Sequence, residues 1–93
     1  MANNLFISYD LIKPDKNYEQ VIGAIKTLGS WAKIHYSLWY VKSTLSASDA
    51  AQRVRASMDG NDKLIVINTI DNTAAWYNLS TEVAEYLKKH WHE

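Results

Sequence analysis

Cysteine is absent from the 93-residue chain, so neither a disulfide nor a thiolate metal site can stabilise it. Proline occurs once and glycine three times, and no linker, internal repeat or low-complexity segment stands out. Net charge is lacking too: ten basic residues balance ten acidic ones, and the pI is about 6.8. A surface that holds a long duplex by its phosphates is usually basic overall. A nucleic-acid function here therefore calls for a local patch or a small ligand. No apolar run approaches the length of a membrane span. The opening MANNLFISYD has neither the basic start nor the apolar core of a secretory signal. The expected location is cytoplasmic.

What is present is apolar and aromatic. Hydrophobic residues make up 47% of the chain, enough for a core and too many for a disordered polymer. Trp and Tyr number four and six against a single Phe. Each combines a flat apolar face with a hydrogen-bonding edge, which fills a small core and equally suits interfaces and base stacking. Residues 1–93 read as one domain, with a core over about 4–71 and a tail over 72–93. A domain this short buries only about 60–65% of its unfolded surface, so oligomerisation is the expected source of further stability.

Alternation from Leu5 to Leu11 predicts a strand with Leu5, Ile7, Tyr9 and Leu11 on one face and Phe6, Ser8 and Asp10 on the other. Pro14 limits that strand, and Asp15 or Asn17 can cap the first helix. Val21, Ile22, Ile25 and Leu28 form a helical stripe stopped by Gly29. The β-rich stretch WAKIHYSLWYVKS is long for one strand and predicts two, breaking near Tyr36 and Ser37. Ser46 and Asp49 open a second helix whose inner stripe is Ala47, Ala50, Ala51, Val54 and Met58, ending before Gly60. KLIVINTI is the strongest strand. DNTAAWYN reads as a loop or a short extra strand. Ser80 caps a third helix with Val83, Tyr86, Leu87 and Trp91 inward and Leu79 as a staple. The order is that of an α+β, ferredoxin-like split βαβ sandwich with an extra C-terminal helix. Both faces of the central strands carry apolar residues while helices cover one, so a second copy is the expected cover of the other.

The stretches FISYDL, LGSWAKIHYSLWYVKSTLSASD and DKLIVINTI resemble the small ferredoxin-like CRISPR-associated spacer-acquisition nuclease superfamily, which includes the virulence-associated protein D endoribonucleases. The shared pattern is Tyr9-Asp10 ending the first strand, Gly29, Ser37-Leu38-Trp39, Leu45-Ser46-Ala47-Ser48 and Asp62 before the last strand. The resemblance implies a homodimer whose two Asp10 carboxylates face each other, hold Mg²⁺ or Mn²⁺ and hydrolyse phosphodiesters. Hard oxygen ligands suit Mg²⁺, and a metal-bound water is a nucleophile near neutral pH. The chain departs from the family pattern at Tyr40, where many relatives carry an acidic residue, in its missing basic excess, and in the tail.

Asp10 thus has two readings, a strand-end Asx turn before Pro14 or a metal ligand and catalytic residue. Ser8 shares its face, and Tyr9 and Ser37 belong to the motifs of the resemblance. Lys13, Lys16 and Tyr18 surround the entry to a helix N-terminus, where free N–H groups attract phosphate; a solvated turn is the alternative. Trp39, Tyr40, Trp76 and Tyr77 are the aromatics least tied to a helical stripe. They are candidates for base stacking or for a plug under the terminal helix. Arg53 and Arg55 lie two apart and read as surface pairs with Asp49 and Asp59. His90 and His92 have the wrong spacing for a helical metal pair. The expectation is a homo-oligomeric binding protein for nucleic acid or a small nucleotide, catalytically weak or inactive. The alternatives are a Mg²⁺- or Mn²⁺-dependent endonuclease using Asp10 from two subunits, and a phage-type protein that sequesters a signalling nucleotide.

Overall fold

Alternation along β1 (Asn3–Asp10) sets the layout. Leu5, Ile7 and Tyr9 are buried, while Phe6 and Ser8 on the opposite side are half-buried. The computed structural model describes residues 2–11, 14–35 and 37–91, with backbone alone for 14–17. After β1 come α1 (Pro14–Lys26), β2 (Ser30–His35), β3 (Leu38–Ser43), α2 (Ala47–Arg55), β4 (Lys63–Asn68), β5 (Thr73–Tyr77) and α3 (Thr81–His90). The strands form one sheet in the order β2-β3-β1-β4-β5, every neighbour antiparallel. Two strands antiparallel to a shared neighbour are parallel to each other. β1 and β2 therefore flank β3 as one split βαβ unit, and β3 and β4 flank β1 as the other. This is the ferredoxin-like arrangement, extended by β5 and α3.

α1 and α2 cover one face. Val21 and Ile25 of α1 and Ala47, Ala50, Ala51 and Val54 of α2 meet Leu5, Ile7, Val41, Leu64 and Val66 of the sheet. The small residues of α2 let it lie close to β4 and β5. Gly29 obeys the same logic: a Cβ there would collide with the Lys42 carbonyl, so only glycine lets the chain enter β2 this close to β3. Ser46 Oγ accepts the Asp49 N–H at 3.1 Å and starts α2 as expected. Among the described residues no helix is long and apolar enough to cross a membrane.

Four local expectations are corrected. α1 begins at Pro14, not after an Asp15 or Asn17 cap, because proline fits the first helical position, where its missing N–H costs nothing. α2 ends at Arg55, and Met58 sits in the turn beyond it, half-buried. The strand expected over 63–70 stops at Asn68, whose buried Oδ1 accepts the Ile70 N–H and turns the chain into β5. In α3 no residue is buried, and Val83 and Tyr86 are 49% and 65% exposed. The helix-covered face is already occupied by α1 and α2. α3 instead runs back along β5, its end tied down by Trp91 Nε1 donating to the Asn72 carbonyl at 2.7 Å. Only Leu79, Ala84, Leu87, His90 and Trp91 are half-buried along this stretch.

Candidate functional site

The face of the sheet opposite α1 and α2 is organised in rows by strand register. One row runs Ala32, Tyr40, Phe6, Ile67, Ala74; the next runs Leu38, Ser8, Ile65, Trp76. All of these are half-buried except Ala32, which is exposed. Tyr40 of β3 and Phe6 of the central strand β1 are direct partners, their rings 5.5 Å apart and tilted by 58°. Tyr40 Oη donates to Asn4 Oδ1 at 2.7 Å, which fixes the ring at one height above the sheet. The result is an aromatic and aliphatic floor without a helix over its centre.

Ser8, Tyr40 and Trp76 are brought together on this floor. Tyr9 and Trp39 are not. They project to the helix side, 4% and 2% exposed, with Trp39 Nε1 donating to Tyr9 Oη at 3.2 Å. Their rings are part of the core, as is half-buried Tyr18, which lies 6.0 Å from Tyr9. Ser37 is half-buried, and its carbonyl accepts the Tyr9 N–H at 3.3 Å. Tyr77 also turns to the helix side, where the Arg55 guanidinium lies 4.4 Å from its ring centre. Lys13 lies outside the described residues, as does the side chain of Lys16.

Asp10 is exposed at the end of β1, on the same side as Phe6 and Ser8, and is register partner to Lys63. Together with Ser8, Ile65 and Leu79 they line a depression of about 150 Å³. Among the described residues no three His, Asp or Glu side chains gather as a metal site. One carboxylate beside a lysine does not fit a divalent cation, which needs several hard oxygen ligands. A metal at Asp10 would require carboxylates from a second copy.

Phe6 completes the floor, and sequence reasoning did not place it among the candidate site residues. A signal for it exists in the sequence: Phe6 and Tyr40 fall on the same side once β1 and β3 are paired. Between β5 and α3 a groove of about 270 Å³ is lined by Ala74, Trp76, Lys88 and Trp91. Trp76 thus lies both at the edge of the floor and beside the terminal helix. No protein-family model matches the chain, and neither a curated protein nor a solved structure matches it.

Proposed function

We propose that this protein is a cytoplasmic, homo-oligomeric binding protein for nucleic acid or a small nucleotide, with little or no catalytic activity. The observation that carries this reading is the Phe6–Tyr40 pair on the uncovered face of the central strand β1 and its neighbour β3. Every base has a flat π-face, so a held aromatic ring can accept it without sequence preference. The surrounding Ile65, Ile67 and Leu38 make the floor more apolar than a solvated sheet face, which suits cover by a second copy beside the ligand. The test is titration of mononucleotides and short labelled oligonucleotides, with the oligomer mass measured alongside. Tyr40→Ala is expected to weaken binding about 5- to 150-fold, the equivalent of about 1–3 kcal/mol of base stacking. Binding unchanged in both Tyr40→Ala and Phe6→Ala would overturn the reading.

A second reading is favoured by the exposure of Asp10 on the rim of this same face, where a second copy could bring another Asp10 near. In that reading the protein belongs to the CRISPR-associated nuclease superfamily and cleaves phosphodiesters with Mg²⁺ or Mn²⁺. Metal-dependent cleavage of RNA or DNA that disappears in Asp10→Ala would establish it. An intact substrate with folded wild-type protein would leave Asp10 as a strand-end residue.

A further inference from the structure

No aspartate or glutamate occurs between Glu19 and Asp49, whereas Lys26, Lys33 and Lys42 all fall within that stretch. A chain that is neutral as a whole therefore has a stretch of basic residues unbalanced by acidic ones, and the fold collects it at one edge. The stretch forms the end of α1 and the β2–β3 hairpin, and β2 is one of the two edge strands, exposed along its whole length. Trp31 on β2 is 46% exposed, an unusual position for an indole in a chain with a compact core. Its ring lies 5.4 Å from that of Trp39, and Lys26 Nζ sits 4.5 Å from its centre. Lys33 Nζ lies 5.9 Å from the Trp39 ring. Around the edge, Lys42 projects to the open face, one row from Tyr40 and Phe6.

We infer that the β2–β3 edge is a binding site for single-stranded nucleic acid, with Trp31 stacking an unpaired base and Lys26, Lys33 and Lys42 meeting phosphates. The inference rests on the binding reading above and names its ligand class and a second contact region. The charge pattern selects a polyanion, and the exposed indole selects unpaired bases, because bases in a duplex are stacked on one another. Lys26 now covers part of the indole. At an exposed site a cation–π contact is weaker than base–indole stacking, so a base displaces the flexible lysine toward the phosphate beside it. From this edge a strand reaches the Tyr40–Phe6 floor by crossing β2 and β3. That gives one continuous track over two sides of the sheet edge.

The experiment is fluorescence anisotropy of a labelled single-stranded oligonucleotide over a series of salt concentrations, with the matching duplex and a mononucleotide as comparisons. Wild type is expected to prefer the single strand. The slope of log K against log salt should fall by about 0.7 for each of Lys26→Gln, Lys33→Gln and Lys42→Gln. Trp31→Ala should weaken binding at least about 5-fold with the slope unchanged. These positions are exposed, and unfolding midpoints near wild type verify that the variants fold. Wild-type affinity and slope in both Trp31→Ala and the triple lysine variant would overturn the inference, as would equal affinity for the duplex. If Tyr40→Ala alone abolishes binding, the inference fails while the binding reading stands. If wild type binds no strand and no nucleotide, both fall. If Trp31→Ala splits an oligomer without altering oligonucleotide affinity, the edge pairs copies of the chain and the inference is wrong.

Discussion

Ile7 and Phe6 are adjacent in β1, yet they belong to different surfaces. Ile7 lies wholly buried beneath α1 and α2, within a continuous set of aliphatic contacts. Phe6 lies half-buried on a floor whose centre no helix crosses. The first surface is closed by residues of the chain itself, with alanines of α2 shaped to the sheet. The second has the same apolar character and holds its rings in place, but the chain leaves its centre without a second layer. The difference teaches where to look for function: stability is supplied by the covered face, and the uncovered face is available to a partner or ligand.

Substitutions can sharpen or break this comparison. Ile7→Ala should lower unfolding free energy by about 2–5 kcal/mol, read from the urea midpoint, and leave the uncovered floor chemically intact. Phe6→Ala should cost less stability, about 1–2 kcal/mol, but impair binding. Equal stability losses with equal binding would show that the two faces do not differ in role. Gly29→Ala should cost about 1–3 kcal/mol, because its methyl group collides with the Lys42 carbonyl and pushes β2 away from β3. A midpoint unchanged from wild type would mean that the close approach is absent in solution.

The smallest effects separate two helices with the same cap. Ser46 Oγ accepts the Asp49 N–H at 3.1 Å, and Ser80 Oγ accepts the Val83 N–H at 3.2 Å. Ser46→Ala should lower global stability by about 1 kcal/mol, since α2 buries its inner stripe. Ser80→Ala should speed amide exchange within α3 without moving the global transition, since α3 has no buried residue. Equal shifts in the two midpoints would show that α3 is part of the cooperative core.

Much of the fold was legible because β1, α1 and α2 carry clear periods. Leu5, Ile7 and Tyr9 alternate, and Ala47, Ala50, Ala51 and Val54 share a helical face, so each element announces its buried side. The break between β2 and β3 came from strand length alone, since one strand of that run would be unusually long. α3 was less legible. Its period shows that Val83, Tyr86 and Leu87 share a face, but not whether anything stands opposite that face. The site had a similar difficulty in β3, where Trp39 and Tyr40 are both large aromatics. Only the register with β1 assigns Trp39 to the core and Tyr40 to the floor. Trp31 was hidden for the opposite reason: its neighbours read as an ordinary strand, and its exposure depends on β2 being an edge strand.

One strand contains an internal control for the central claim. β4 places Ile65 and Ile67 on the floor and Leu64 and Val66 in the covered core. The measurement is methyl NMR of these four residues during titration with a short oligonucleotide and, separately, a mononucleotide. Saturable shifts at Ile65 and Ile67, with Leu64 and Val66 nearly still, are the expected result. Shifts centred on Leu64 and Val66, or none at any of the four with either ligand at saturating excess, would contradict a binding role for the uncovered face.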